Sequence, residues 1–400
     1  MNSFRLVEVT RRSQERLFLD VAVMINGGDP NWVQPLDVDI LSVFDPAKNH
    51  LFIDGEAIRW VLMDGEKAVG RIAAFYNRQL AAKEEQPTGG CGFFECIDNR
   101  QAANVLFDAA REWLRERGME AMDGSVNFGD RMSWWGVLAE GFHQPLYGSN
   151  YNPEYYTGLF EGYGFQNYYN QHIYLRRLES DILLNSALLE KAARIFANPE
   201  YTFCNPSLKN IEKLAEDFRK VYNSGWANFE GVKPLTQEHA LELIRTMRPV
   251  IDPEVIFFAY HNGVPVGFFV MIPDLNQIIG DFGGKFGLIQ KLKLLYRLKF
   301  TRRINRLTGV VFGVSSDYQG KGIESGMIRQ FEIYAQRRHE TGKTRYRNLE
   351  MMWIGDFNPV MMRVCESYVN SVKYKRLVTY RYLFDREKPF SRAPRLGKKR

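Results

Sequence analysis

One order of hydrophobic periods runs twice along the chain, and any fold must accommodate both passes. In the first pass, strand-like residues 58–63 and 68–76 flank Asp64-Gly65-Glu66-Lys67, a hairpin with an Asp-Gly turn. Residues 92–97 read as a strand, 101–117 as an amphipathic helix stopped at Gly118, and 119–126 as a short strand. A helix over 153–163 ends at Gly164, before an aromatic strand over 168–175. The second pass has strands at 255–260 and 264–272 around His261-Asn262-Gly263, then a strand at 307–315 and a helix at 322–338. A strand at 349–354, a helix at 359–369 and a closing strand at 377–384 complete it. A strand (4–9) and a helix (14–25) precede the first pass, and helices over 211–226 and 237–247 precede the second. The repeated order predicts a tandem duplication of one α+β unit. The expected units are 1–180 and 205–385, with a linker over 181–204, an insertion over 281–306 and a basic tail over 386–400.

Four hundred residues are about twice the usual domain, in keeping with two units. The formal net charge of +6 invites a nucleic-acid or membrane partner, but that charge is local. Residues 386–400 carry seven basic side chains and one acidic, so residues 1–385 balance to zero. Pro389, Pro394 and Gly397 give this tail a disordered look, and nucleic acid is not expected as a partner. Cys91, Cys96, Cys204 and Cys365 are too few and too scattered to staple the chain. No second Cys pair or His pair completes a zinc site, so no metal is expected. The first twenty residues hold no leader-like apolar run, and no stretch reaches the roughly 18 apolar residues of a membrane span. A cytoplasmic protein with reduced thiols is expected.

The sharpest chemical signal is Val314-Ser315-Ser316-Asp317-Tyr318-Gln319-Gly320-Lys321-Gly322-Ile323-Glu324. A strand runs into a short glycine-bearing loop that opens a helix. Glycines let the backbone come close to a ligand, and several N–H groups then converge beside the positive helix end. Such a nest suits a pyrophosphate; a tight turn without a ligand is the plainer alternative. The GxGxxG of a dinucleotide fold is absent.

In this setting the chain resembles the GNAT N-acetyltransferase family, whose loop Q/R-x-x-G-x-G/A binds the pyrophosphate of acetyl-CoA through main-chain amides. Gln319, Gly320, Lys321, Gly322 and Ile323 follow that loop in order, while Glu324 stands at its final small position. Asn358 in Asp356-Phe357-Asn358-Pro359 fits the Asn that begins the family's next helix. Asn152-Pro153-Glu154-Tyr155-Tyr156 and Tyr163-Gly164-Phe165 extend the resemblance to the first unit. Gly124-Ser125-Val126-Asn127-Phe128 and Pro273-Asp274-Leu275-Asn276-Gln277 look like a group of bacterial double-GNAT proteins. The resemblance implies two tandem GNAT-like α+β units, each a mixed, mostly antiparallel sheet flanked by helices. It implies acetyl-CoA or another acyl-CoA as cosubstrate, no metal, and direct acyl transfer to the amine of a small molecule or peptide. The coenzyme site would comprise Phe312, Gly313, Val314, Ser315, Gln319, Gly320, Lys321, Gly322, Ile323 and Asn358. The matching loop of the first unit, Asp98-Asn99-Arg100-Gln101-Ala102-Ala103, holds no glycine, and no coenzyme is expected there.

The catalytic groups depart from the family pattern. GNAT enzymes place a Glu on the strand before the loop, but residues 307–315 contain no carboxylate. The base is then expected elsewhere, at Asp317, Glu324 or Glu350, or as a water held by Asn276. A Tyr often stands seven residues beyond the Asn to protonate the departing thiolate; here Cys365 stands there, with Tyr368 one turn on. Acceptor contacts are expected from Asn228, Glu230 and Asn276, with a plain turn at 273–277 as the bland reading. Residues 285–306 carry eight basic side chains and no acidic one, and Leu288, Ile289, Leu292, Leu295 and Leu298 give an apolar side. A solvated amphipathic helix is expected there, ahead of peripheral membrane contact or counter-charge for coenzyme phosphates. Two other readings stand beside acyl transfer: a non-catalytic binding or scaffold protein, and a tRNA-dependent aminoacyl transferase docking tRNA on that basic insert.

Overall fold

The computed structural model describes residues 4–178, 185–226 and 234–395. Thirteen strands among these residues join one sheet. They are β1 (Phe4–Glu8), β2 (Gly55–Asp64), β3 (Lys67–Asn77), β4 (Thr88–Cys96), β5 (Ala121–Gly124), β6 (Val137–Glu140) and β7 (Gln166–Arg177). The second half adds β8 (Tyr201–Cys204), β9 (Ile256–His261), β10 (Val264–Pro273), β11 (Arg306–Val314), β12 (Asn348–Gly355) and β13 (Val372–Leu383). The helices that matter below are α1 (Arg12–Asn26), α2 (Arg100–Arg115), α3 (Ser186–Phe196), α4 (Ile211–Trp226), α5 (Gln237–Met247), α6 (Leu288–Phe300), α7 (Ile323–Glu340) and α8 (Pro359–Arg363).

The strand order is β1-β2-β3-β4-β5-β13-β7-β12-β11-β10-β9-β8, with β6 joined to β13. Both halves follow one plan. Hairpins β2–β3 and β9–β10 lead to the parallel pairs β4–β5 and β11–β12, each crossed over by a helix, α2 or α7. In the second hairpin Asn262 (φ 48°) and Gly263 (φ 79°) are both left-handed, the backbone that a tight two-residue turn between twisted strands requires.

The closing strands change places. β13 pairs with β5 of the first half, and β7 pairs with β12 of the second, while β7 and β13 pair with each other. Each half is thus completed by its partner's last strand.

α2 buries Leu106, Phe107, Ala110 and Leu114, and α7 buries Ile323, Met327, Ile328 and Phe331. At about 25 cal/mol per Å² of apolar area, these faces hold the crossover helices on the sheet. The helix expected over 359–369 stops at Arg363, and a single wide turn follows, closed by Val369 N–H to Val364 C=O at 3.0 Å.

A cluster of four buried charges ties the halves together. Arg306 meets Asp274 at 2.6 Å and Glu350 at 2.8 Å, and Lys375 meets Glu350 at 2.7 Å. Lys375 also donates to Gln144 C=O (2.9 Å) and Arg306 to Pro145 C=O (3.2 Å), both in the first half. Burial pulls Lys375 below the usual ammonium range, with Glu350 opposing, and pushes Asp274 up, with Arg306 opposing.

The described part of the basic tail is docked rather than loose. Arg386 lies over Tyr382, Lys388 pairs with Glu120 (2.7 Å), Arg392 pairs with Asp356 (2.6 Å), and Ala393 N–H donates to Tyr168 C=O (3.0 Å). Acidic side chains on a neutral body supply the counter-charge that the net figure hides. Among the described residues no helix is long and apolar enough to cross a membrane.

Candidate functional site

β11 and β12 run in parallel register only from Arg306↔Asn348 to Gly309↔Met351. Each strand has an irregularity where they part. On β11, Val310 is an extra residue relative to β10, between the pairs Val270↔Val311 and Met271↔Gly309. On β12, Met352 and Trp353 lie between the pairs Met351↔Tyr174 and Ile354↔His172. A bulge bends its strand and sharpens its twist, so two facing bulges open a wedge. Ser315 N–H donates to Val266 C=O at 2.9 Å, which fixes the alternation along β11. By that alternation Phe312 and Val314 turn their N–H and C=O groups away from β10 and into the wedge. Such a gap accepts an extended, amide-bearing ligand in place of a strand.

A cavity of about 550 Å³ occupies the wedge. Its walls are mostly apolar, with Phe312 on β11, Met351, Met352 and Ile354 on β12, Phe357 and Met361 after it, and Ile328 and Phe331 on α7. The polar side chains at the wall are Arg176, Glu332, Gln319 and Asn358. Arg176 and Glu332 form an ion pair at 3.4 Å, and burial lowers Arg176 while Glu332 opposes the shift.

Beyond the wedge the chain turns into α7. Gly320 (φ 74°) and Gly322 (φ 92°) both lie in the left-handed region. An added Cβ at Gly320 would meet nothing within 4 Å, so backbone conformation rather than space calls for glycine there. The first bond of the helix runs from Gly326 N–H to Gly322 C=O (3.0 Å), and no side chain among the described residues caps the helix. The N–H groups of Ile323, Glu324 and Ser325 therefore have no helical acceptor ahead of them, at the positive end of an 18-residue helix. Glu324 Oε1 accepts Gly320 N–H at 3.4 Å, so a carboxylate stands where this turn would hold an anion.

The first half closes its equivalent gap. β4 and β5 part after Gly90↔Asp123, but Val126 N–H donates to Cys91 C=O at 2.9 Å across the opening. A Cβ at Gly92 would stand 1.7 Å from the Val126 oxygen, so the chain itself fills this gap. The cavity beside it, against Phe93 and Ser125, is about 50 Å³. Asn99 caps α2 by accepting Ala102 N–H at 3.0 Å.

The residues expected from sequence are not all together. Phe312, Gly313, Val314, Gln319 and Asn358 line the cavity, and Ser315, Gly320, Lys321, Gly322 and Ile323 form the turn beyond it. Gln319 Nε2 donates to Val314 C=O (3.3 Å), and Asn358 begins α8, its Oδ1 accepting Met361 N–H at 3.2 Å. Glu350 is absent from the cavity wall, with its two oxygens in the buried ion pairs with Arg306 and Lys375. Asn276 is buried and donates to Pro145 C=O at 3.0 Å, a bridge between halves. The Tyr368 ring has Lys191 Nζ over its face, 5.2 Å from the ring centre, and packs with Leu188, Ile328 and Val369. Cys365 is fully buried with Sγ 3.6 Å from Met351 Sδ, and burial pushes its thiol up to about 12, too weak an acid to protonate a thiolate. Asn228 and Glu230 lie outside the described residues. Sequence reasoning missed the methionine wall and the Arg176–Glu332 pair; the doublets Met351-Met352 and Met361-Met362 were its visible trace.

No family profile matches the sequence. The chain is 25% identical over 382 residues to a bacterial ceramide synthase of Caulobacter vibrioides, covering 94% of this chain and 96% of that protein. It is 25% identical over 358 residues to protein YghO of Escherichia coli, covering 88% of each. Among solved structures, a tandem GNAT protein from the clavulanic acid biosynthesis pathway superposes with a TM-score of 0.52 at 13% identity. That match covers 96% of this chain and 100% of the other. The glucosamine N-acetyltransferase region of a fungal multi-domain beta-N-acetylglucosaminidase gives a TM-score of 0.54 at 12% identity, over 96% of this chain and 38% of the other. Two parted parallel pairs in one sheet, one left open and leading to a glycine turn, agree with these likenesses: the chain has the tandem GNAT fold.

Proposed function

We propose that this protein is an acyl-CoA-dependent N-acyltransferase whose coenzyme binds in the second half. The observation that carries the reading is the open wedge between β11 and β12 running into the uncapped start of α7. The main chain of Phe312 and Val314 would hydrogen-bond the amides of the pantetheine arm. The turn at Gly320–Gly322 and the first amides of α7 would hold the pyrophosphate, and Asn358 would flank the arm.

The cavity of about 550 Å³ in the wedge would hold the thioester end of the arm together with its acyl group. Its Met- and Phe-rich wall suits hydrocarbon, so the favoured donor is a longer acyl chain. Resemblance to a ceramide synthase along nearly the whole length supports the same donor and a long-chain amine as acceptor. The amine nitrogen attacks the thioester carbonyl, the C–S bond breaks, and the amine proton ends on the CoA thiol, so no proton is gained or lost overall. Among the described residues Glu332 is the carboxylate at the cavity wall through which that proton can pass, with Glu324 the alternative at the turn.

Calorimetry with palmitoyl-CoA, acetyl-CoA and CoA, together with thiol release in the presence of long-chain amines, tests the reading. Binding that is lost in Gly322→Asp and faster thiol release from palmitoyl-CoA are expected. Absence of binding in the wild type would overturn it. The second reading, a non-catalytic binding protein, is favoured by Cys365 at the usual Tyr position, and binding without thiol release would establish it.

A further inference from the structure

α6 is apolar on two opposite sides, and among the described residues only one of them is packed against the fold. Leu294, Arg297 and Leu298 are buried, with Arg297 bonded to Asp281 (2.6 and 2.8 Å) and to Ile278 C=O. Leu288, Ile289, Leu292, Leu295, Tyr296 and Phe300 face outward, between 36% and 75% exposed. At about 100° per residue these six fall within an arc of about 140°, opposite the buried side chains, with Lys291 and Lys293 near its two borders. Lys299 lies at the outer end of the same face, and Arg302 and Arg303 follow, both exposed. Of the five apolar residues that mark the stripe in sequence, only Leu298 is buried.

We propose that α6 is an interfacial helix that seats the protein on an anionic lipid surface. A large apolar face bordered by lysines matches the acyl–headgroup boundary, where the rings and leucines enter and the amines reach up to phosphate. The helix is about 20 Å long at ~1.5 Å per residue, so it lies on the bilayer rather than crossing it. A second copy of this chain is the weaker occupant. A two-fold contact would set the exposed cations Lys285, Lys291, Lys299, Arg302 and Arg303 against their own copies. The proposal does not rest on acyl transfer, because charge and exposure on α6 carry it alone.

The test is co-sedimentation of the full chain with phosphatidylcholine vesicles containing phosphatidylglycerol, and with phosphatidylcholine alone. Wild type should pellet with the anionic vesicles and bind the neutral ones far more weakly. Leu288→Gln/Ile289→Gln/Leu292→Gln should abolish pelleting with circular dichroism unchanged, since all three side chains are exposed. Lys291→Gln/Lys299→Gln/Arg303→Gln should weaken binding about 100-fold, at roughly fivefold per charge, with thiol release from a soluble acyl-CoA unchanged. Wild type left in the supernatant, or a triple leucine–isoleucine variant that still pellets, would overturn the proposal. So would ultracentrifugation showing a lipid-free dimer that this variant dissociates, because a second copy would then cover the face.

Discussion

Glu350→Gln separates an architectural carboxylate from a chemical one. The substitution keeps shape and removes one charge from a cluster of four that sums to zero, whose side chains are at most 9% exposed. Arg306 and Lys375 then face Asp274 alone, with one positive charge in surplus and little water to screen it. Removing one partner of a buried pair costs about 3–5 kcal/mol, whereas neutral replacement of both is often tolerated. Lys375, already pulled down by burial, can shed its proton to relieve the surplus, so the lower end, about 3 kcal/mol, is expected. Lys375→Met alone leaves the opposite surplus and should cost about as much. The double variant restores neutrality, and it should lose at least about 2 kcal/mol less than the two singles together. Urea unfolding of the four proteins measures this, with acyl transfer assayed well below the transition. The double variant should transfer at close to the wild-type rate. Losses that add to within about 0.5 kcal/mol would refute the cluster as a unit. A double variant that folds yet transfers nothing would return Glu350 to the chemistry.

Glu324→Gln removes the carboxylate from the turn and should tighten CoA binding about fivefold, the ~1 kcal/mol of two like charges some 4 Å apart in water; calorimetry reads it, and weaker binding would instead give Glu324 a positive role. Of the four thiols only Cys204 is exposed, while burial pushes Cys96 and Cys365 up to about 12, so an aromatic disulfide reagent should titrate one thiol in the native protein and four in denaturant. Arg297, then Lys293, hold Asp281 below the usual carboxylate range, so its grip on α6 is complete above about pH 4 and lost as the pH falls further. At about pH 4 pepsin should cut within 288–300 of Asp281→Asn and spare the wild type, with the difference shrinking as the pH falls; equal cutting of the two at that pH would sink this reading.

Much of the fold was legible because its signals are local. Asn262-Gly263 states its turn, residues 101–117 show their helical period, and Gly320 and Gly322 mark a left-handed turn before a helix. The exchange of β7 and β13 was not legible, since both strands alternate alike and neither names its neighbour. Glu350 could be seen as a strand carboxylate, but its partners come from β11 and β13, and no local period announces a pairing across strands. The stripe on α6 was plain in sequence. Its direction was not, because two apolar sides leave the buried one to be decided by Arg297 and Asp281.

The exchanged closing strands give the protein a schedule. When β5 leaves the ribosome, its eventual neighbour β13 lies about 250 residues downstream, an interval of roughly 12–50 s at 5–20 residues per second. Through that time the first half has an open edge at β5, and β7 waits for a strand not yet made. Both halves therefore reach their finished state in one late event, when β13 enters between β5 and β7 and β7 meets β12. A nascent chain halted near residue 180 would expose an unpaired strand edge, the kind of surface that holding chaperones cover.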